Sequence, residues 1–229
     1  MANISIIFLS FFFPFLWFYY FYRKDTTPEP KSWIFLAFLL GTLAVFPAYY
    51  LQKYSSQILN NLGLADGKLI YFLFAFFEEF FKFIFVWLVI FRSKVFDHAI
   101  DAIIYLTSSA FGFSSLENLG LYLGYISNGS IDNPWSLAFF RFLGANFLHI
   151  LASALIGFGY AEFVATRRIS PFIFSFLIST LLHFWYNVLV LNGGYFVHAL
   201  PLIWSIFPII LIEIDHLKLH HGIISRRRK

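Results

Sequence analysis

Long apolar stretches without charge dominate this chain and leave few folds open to it. Residues 33–51, for example, contain no Asp, Glu, Lys or Arg. Of the 229 residues, 60% are hydrophobic and 12% are charged, whereas a soluble domain has about 25% charged residues. A soluble fold of this size could not hide so much apolar surface. The sequence therefore excludes a soluble globular protein and a disordered chain, and the absence of cysteine excludes a disulfide-rich domain.

Seven apolar segments are long enough to cross a bilayer, whose core of about 30 Å needs about 20 helical residues. The runs do not alternate in polarity, which favours helices over barrel strands. We therefore predict an all-α, polytopic transmembrane helix bundle that forms a single membrane domain over residues 1–229. The first stretch lacks a preceding basic segment, so we expect it to be retained as a span. The seven predicted spans are roughly 4–22, 33–51, 69–91, 99–126, 135–164, 171–191 and 195–217.

The loops between these spans differ strongly in basic residues. Tight turns are predicted at Asn128-Gly129 and at Asn192-Gly193-Gly194. One side of the membrane would hold two basic residues, Lys53 and Lys68. The other side would hold twelve: Arg23, Lys24, Lys31, Arg92, Lys94, Arg167, Arg168, Lys218, Arg226, Arg227, Arg228 and Lys229. Basic loops stay in the cytoplasm, so we expect a cytoplasmic C-terminus, an outside N-terminus and a multi-pass protein of the bacterial cytoplasmic membrane. The basic residues report topology and do not indicate nucleic-acid binding.

Five ionisable residues on four predicted spans lie at a similar depth. Counted from the predicted outer edge, Glu78, Glu79, Glu117, His149 and His183 are nine to fourteen residues deep. At about 1.5 Å per residue, this places them roughly 14–21 Å below the outer surface. An isolated charge at the bilayer centre costs at least about 2.5–3.5 kcal/mol. We therefore expect these groups to share one polar cavity.

The spacing within each helix supports a shared site. Lys82 follows the two glutamates of its span by three and four residues, so it can pair with either of them. His149 and Ser153 are four residues apart, as are His183 and Asn187. Each pair therefore lies on one face of its helix and can point at one ligand. Two adjacent carboxylates rarely both stay ionised at low dielectric, which is one way to make a general base or acid.

These residues form a series of motifs along the chain. They are Glu78-Glu79-x-x-Lys82, Asp97-x-x-x-Asp101-Ala102-x-x-Tyr105, Phe113-x-x-x-Glu117-Asn118, Arg141 with His149-x-x-x-Ser153, and His183-x-x-x-Asn187. Their order and spacing resemble the PrsW family of intramembrane proteases, which is related to the CAAX prenyl endopeptidase and bacteriocin-processing superfamily. The resemblance covers about residues 72–187. We therefore expect a catalytic core of about residues 69–191, with the first two spans and the last one peripheral.

The resemblance implies a membrane-embedded peptidase. The namesake of the family makes the first cut in a membrane-spanning anti-sigma factor, on the extracytoplasmic side. By resemblance, Glu78 would be the general base with Glu79 as its partner, and Glu117 stands where CAAX-type relatives have a histidine. The implied catalytic residues are Glu78, Glu79, Glu117, His149 and His183. The supporting residues are Lys82, Asn187, Ser153, Asn118 and Arg141, of which Arg141 is also a natural counter-charge.

The sequence leaves the role of a metal open. Glu117, His149 and His183 are candidate ligands for Zn²⁺, which would lower the pKa of a bound water. No H-E-x-x-H motif occurs, however, and each candidate lies on a different span. In a metal-free route Glu78 would take the proton from water while the imidazoles stabilise the oxyanion.

Two functions other than proteolysis fit a polar cluster inside a membrane. Carboxylate and histidine chains also build the proton relays of transporters, although the sequence has no convincing internal repeat. A non-catalytic scaffold or immunity protein on the same fold is the third interpretation. The convergence of the polar groups at one depth favours the protease. Its expected partners are a membrane-anchored protein substrate and the lipid bilayer.

Overall fold

Seven helical rods form the part of the chain that this computed structural model describes, residues 2–25, 28–64, 68–128 and 134–220. The helices are α1 (Ala2–Tyr22), α2 (Lys31–Asn61), α3 (Lys68–Val86), α4 (Asp101–Ser127), α5 (Pro134–Arg141), α6 (Phe147–Thr166), α7 (Ser170–Leu191) and α8 (Leu200–His220). Short π-helical segments continue α3 (Trp87–Phe91), join α5 to α6 (Phe142–Asn146) and lead into α8 (Tyr195–Ala199). The predicted all-α bundle is confirmed, with no strand among the described residues.

Five of the seven rods are long and apolar enough to cross a membrane. They are Ser5–Tyr22, Lys31–Asn61, Pro134–Thr166, Ser170–Leu191 and Val197–Asp215. The other two, α3 and α4, have the length but are more polar. The middle of α3 carries two glutamates and a lysine, and α4 contains five serines and three glycines as well as Asp101, Glu117 and Asn118. The chain is a multi-pass membrane protein whose two most polar rods are shielded by the apolar ones.

The central position belongs to α4, which packs against α1, α2, α3 and α6. Small residues allow this close packing. A Cβ atom on Gly41 of α2 would lie 1.8 Å from the carbonyl oxygen of Ser109, and one on Gly112 would lie 2.0 Å from that of Phe38. Ser108 also donates a hydrogen bond to the Ile34 carbonyl at 2.8 Å. The backbones of α2 and α4 therefore touch, which holds the site residues of α4 in fixed positions.

Helix α2 extends ten residues beyond its predicted end at residue 51, to Asn61. Bilayer thickness set the predicted end, but nothing in the sequence stops the helix there. It ends where Gly63 adopts a left-handed φ of 68°, and the Leu64 N–H donates to the Leu59 carbonyl at 2.9 Å. Glycine is the usual residue at such a helix end. The added turns bring Gln52 to the polar cluster.

The turn after α7 is confirmed. Gly193 has a φ of 76°, and the Gly194 N–H donates to the Leu189 carbonyl at 2.7 Å. Only Asn128 of the turn predicted at Asn128-Gly129 belongs to the described residues. The basic residues 226–229 also lie outside them, and the orientation derived from the basic loops stays a prediction.

Candidate active site

A cavity of about 390 Å³ lies between α3, α4, α6 and α7. Its walls are largely apolar and include Leu121, Tyr125 and Leu191. These residues belong to the C-terminal parts of α4 and α7, so the cavity extends toward the end of the bundle that the basic-residue count predicts to face outward. Its polar side chains are Glu78, Glu117, Arg141, His149, His183 and Asn187. Four of the five groups that were expected to share a cavity therefore line it, and Glu79 does not.

Behind this cavity lies a fully enclosed ionic network. Lys82 and Glu79 are 1% and 0% exposed, and the Lys82 Nζ lies 2.6 Å from Glu79 Oε1. The same glutamate oxygen lies 2.8 Å from His183 Nδ1. Lys82 Nζ also lies 3.3 Å from His149 Nδ1. Glu79 and Lys82 thus hold the two imidazoles, whose ring centres are 5.1 Å apart.

Glu78 faces the cavity in a different environment. Gln52 Nε2 donates a hydrogen bond to Glu78 Oε1 at 2.7 Å. The other oxygen, Oε2, is buried and has no hydrogen-bond partner among the described residues. His183 Nε2 lies 3.6 Å from that oxygen. A carboxylate oxygen kept from water without a donor is costly, so this oxygen is available to a ligand between Glu78 and His183.

The third glutamate forms a separate ion pair on the cavity wall. Arg141 Nη2 lies 2.5 Å from Glu117 Oε2, and His149 Nε2 lies 3.1 Å from the same oxygen. Arg141 also donates to the side-chain oxygen of Asn118. Asn118 in turn donates to Asn146 Oδ1 at 3.0 Å. Arg141 is therefore the counter-charge of Glu117, and buried amides fix its position.

The structure separates the predicted site residues into three sets. Glu78, Glu117, Arg141, His149, His183 and Asn187 line the cavity. Glu79, Lys82 and Asn118 lie behind it and orient the first set. Ser153 is buried, and its hydroxyl has no partner among the described residues, so it does not join the network although it shares a helix face with His149.

Sequence reasoning missed several residues that complete the site. Gln52 lay one residue beyond the predicted end of span two, and a polar side chain after an apolar run is the signal that could have found it. Asn146 lies in the π-helical segment that follows Arg141. Tyr186 and Tyr195 also line the cavity. A Cβ on Gly144 would lie 2.2 Å from the Tyr186 hydroxyl, so a larger residue there would displace this hydroxyl.

Comparison with known proteins gives the same family as the motifs. A family model described as the PrsW family intramembrane metalloprotease matches residues 29–212. This chain belongs to the PrsW family. "Protease PrsW" of Oceanobacillus iheyensis is 33% identical over 75% of this chain and 76% of its own length. The "Protease PrsW" proteins of Geobacillus kaustophilus and Bacillus subtilis are 32% and 30% identical, over 81% and 80% of the chain and 82% and 81% of their own lengths.

Membership of the PrsW family makes the chain an intramembrane protease that acts on a protein in a membrane. No solved structure matches it. The motif resemblance is therefore confirmed at the level of the family and the enzyme class. The match begins at Glu29 and ends at Ile212, so it includes α2 with Gln52 and most of α8.

The family description names a metalloprotease, and three residues of this PrsW-family chain fit a metal ion. Ligand atoms of Glu78, His149 and His183 all lie within 4.8 Å of one another. Glu78 Oε2 is buried without a donor. His183 Nδ1 contacts the Glu79 carboxylate at 2.8 Å, an arrangement that typically orients a metal-binding histidine. The predicted set contained Glu117 in place of Glu78, but Arg141 already neutralises Glu117.

Replacing Gln52 by leucine should lower the cleavage rate about 10- to 100-fold. The variant removes the donor at 2.7 Å that holds Glu78 Oε1, and a hydrogen bond to a charged group contributes about 1.5–3 kcal/mol. Gln52 is half-buried, so the melting temperature should change little. The rate and the melting temperature of purified protein check this expectation.

Gln57→Leu is the matched control, because Gln57 is an exposed residue one and a half turns later on the same helix. It should keep the wild-type rate. Equal cleavage rates for wild type and Gln52→Leu would show that Gln52 does not contribute to the site. A fall in melting temperature that matches the loss of rate would make its role structural only.

Proposed function

We propose that this PrsW-family protease hydrolyses a peptide bond near the extracytoplasmic side of a membrane-anchored protein, using a water molecule that Glu78 activates. One observation carries the proposal. The Glu78 carboxylate is fixed through Oε1 by Gln52, while the buried Oε2 lies 3.6 Å from His183 Nε2, and both side chains line the cavity. Such an oxygen is suited to accept a proton from water bound between the two side chains.

Glu79 and Lys82 act as positioning residues in this proposal. An ammonium group can only donate hydrogen bonds, so Lys82 faces the lone pair of His149 Nδ1. His149 Nε2 then carries the proton. The Glu79 carboxylate accepts at 2.8 Å from His183 Nδ1, which leaves the lone pair of His183 Nε2 toward the cavity. The two imidazoles are thus held in opposite tautomers, one as a donor and one as an acceptor.

The remaining polar groups of the cavity would bind the substrate carbonyl. Hydrolysis of an amide places negative charge on the carbonyl oxygen in the transition state, and preorganised donors stabilise it. The Asn187 amide, the His149 Nε2–H group and the Arg141 guanidinium are donors among the residues that line the cavity. Arg141 and His149 share Glu117 as an acceptor, which keeps both pointed at the same region.

A metal ion, when bound, would be held by Glu78, His149 and His183 and would polarise the carbonyl and acidify the water. Binding through His149 Nε2 would require this nitrogen to give up its proton as well as its contact with Glu117, and a proton moved to Nδ1 would then require Lys82 to turn away from it. Zn²⁺ is the proposed ion, because it accepts carboxylate oxygen and imidazole nitrogen in small tetrahedral sites. Gln52 and Glu79 would position Glu78 and His183 for this site as they do for the metal-free route.

The expected substrate is a membrane-anchored protein such as an anti-sigma factor of the bacterial cytoplasmic membrane. Two observations support cleavage near the outer surface. The cavity reaches the ends of α4 and α7 through Tyr125 and Leu191, and the basic loops predict that these ends face outward. Glu117 lies ten residues before the end of α4, and His183 lies eight residues before the end of α7.

A comparison of membrane proteomes tests this function. Cells that express the chain and cells that lack it are compared by mass spectrometry of new protein N-termini. We expect one membrane-anchored protein to accumulate at full length without the protease. Its new N-terminus in wild-type cells should lie at the extracytoplasmic edge of its span. A cut at the cytoplasmic edge, or identical N-termini in both strains, would contradict the proposal.

A further inference from the structure

A second group of metal-ligating side chains lies at the far end of the bundle from the cavity. Ligand atoms of Glu29, Asp97, His98 and Asp101 all lie within 4.8 Å of one another. Glu29 comes from the link before α2, and the other three come from the turn that begins α4. Sixteen residues separate Asp101 from Glu117 along α4, which is about 24 Å at the rise of a helix. This cluster is therefore independent of the active site.

The turn before α4 holds three of these donors in place. Asp101 Oδ2 accepts hydrogen bonds from the backbone N–H groups of Asp97 at 2.9 Å and His98 at 2.7 Å. His98 Nδ1 lies 2.8 Å from Asp97 Oδ1. The Asp101 carboxylate thus folds the turn back on itself, and the side chains of Asp97 and His98 stand beside it.

The two buried carboxyl groups of the cluster face each other. Glu29 is 6% and Asp101 is 0% exposed, and their carboxyl groups are within hydrogen-bonding reach of each other. Tyr105 donates a hydrogen bond to Glu29, but no donor among the described residues reaches Asp101 Oδ1.

Burial makes this arrangement unfavourable unless something positive lies between the carboxyl groups. Removing opposed charges from water costs several kcal/mol per ion unless they are compensated. A bound cation is one such compensation, and cations are often the largest local charges in such sites.

Space for an ion and its water adjoins these donors. A cavity of about 530 Å³ is lined by Glu29, Asp97 and His98, and also by Lys94. Pro28 and Pro30 flank Glu29 and restrict the backbone of the link there. Three of the four donors therefore border an open volume, together with the ammonium group of Lys94, and the buried Asp101 lies within 4.8 Å of these donors.

We propose that Glu29, Asp97, His98 and Asp101 bind a divalent transition-metal cation that ties the link between α1 and α2 to the start of α4. The donor set selects the class of ion. Three carboxylates and one imidazole suit Mn²⁺ or Zn²⁺, whereas Mg²⁺ prefers oxygen ligands and water alone. The ion would have a structural role, because the cluster lies about 24 Å along α4 from the catalytic cavity.

Metal titration of the full-length protein tests the proposal. The protein is purified without a histidine tag, stripped with chelator and titrated with Mn²⁺, followed by electron paramagnetic resonance, with Zn²⁺ and Mg²⁺ as competitors. All proteins carry Glu78→Gln, which removes the active-site carboxylate. We expect one bound Mn²⁺, displaced by Zn²⁺ but poorly by Mg²⁺. Asp97→Asn, His98→Gln and Glu29→Gln should each weaken binding at least about tenfold, while the control Glu213→Gln should not.

Two of these variants are safe for folding, because Asp97 is exposed and His98 is only half-buried. A second measurement is the melting temperature, which should rise with Mn²⁺ in the parent and not in Asp97→Asn, since a ligand of the folded state stabilises it. Equal affinities in the parent, Asp97→Asn and His98→Gln would overturn the proposal, as would no binding in the Glu78→Gln background. Failure to cleave a substrate leaves this result unaffected.

Discussion

Glu78→Gln should reduce cleavage about 10²- to 10⁴-fold, the contribution of a general base. The substitution keeps the shape of the side chain and removes its capacity to take a proton or hold a cation. It also leaves the neighbours in place, because Gln52 can still donate to the new amide oxygen. The measurement is the single-turnover rate on a membrane-anchored substrate in proteoliposomes, with the melting temperature recorded for the same preparation.

Glu213→Gln is the control for this variant, since it changes the same functional group on α8 away from the cavity. It should cleave at the wild-type rate. A Glu78→Gln protein that cleaves as fast as wild type would show that Glu78 is not the general base. A rate that falls only in proportion to a loss of folded protein would do the same.

Lys82→Met should destabilise the protein more than any other single change at the site. Lys82 Nζ lies 2.6 Å from Glu79 Oε1, and both side chains are enclosed at 1% and 0% exposure. Removing the cation leaves a carboxylate in the interior with only an imidazole beside it. Breaking a buried ion pair in this way costs about 3–5 kcal/mol, a large part of the stability of a typical domain. Thermal unfolding in detergent measures the effect.

The double variant Glu79→Gln with Lys82→Met tests the cause. Without the buried charge, most of the lost stability should return, because replacing both partners of a buried pair is often nearly neutral. Cleavage should stay low, since His183 loses its carboxylate partner. A Lys82→Met protein as stable as wild type, or a double variant no more stable than the single one, would show that the pair is not the source of stability.

The apolar pattern was sufficient to predict the helices and most of their ends. Predicted ends at residues 22, 91 and 191 coincide with the ends of helical segments in the structure. The largest error concerns α2. Its predicted end is residue 51, whereas the helix continues to Asn61. Hydropathy measures how far a segment is apolar, whereas a helix continues until a residue such as Gly63 breaks it. Because of this error, Gln52 was not predicted to belong to the site.

The rarity of charge made the candidate site visible from the sequence. Charged groups are costly inside a membrane and are therefore placed for a reason, so Glu78, Glu117, His149 and His183 could be selected and assigned a common depth. The structure brings all four to one cavity. The assignment of partners within the cluster needed coordinates. The spacing allowed Lys82 to pair with either Glu78 or Glu79. In the structure Lys82 pairs with Glu79, whose carboxylate also contacts His183.

The amino-acid sequence alone was enough to establish the membrane class, the all-helical fold, the family motifs and the side chains that converge at one depth. The membrane class and the helical fold follow from composition, the common depth follows from counting residues along each span, and the family follows from the resemblance of the motifs. The tertiary structure decided which carboxylate is paired, which has an oxygen without a donor, and which residues of distant helices meet. Gln52 and Glu78 lie on different helices, as do Glu29 and Asp101. Such contacts depend on how closely α2, α3 and α4 approach, and that distance is set by small residues such as Gly41, whose partners no local pattern identifies.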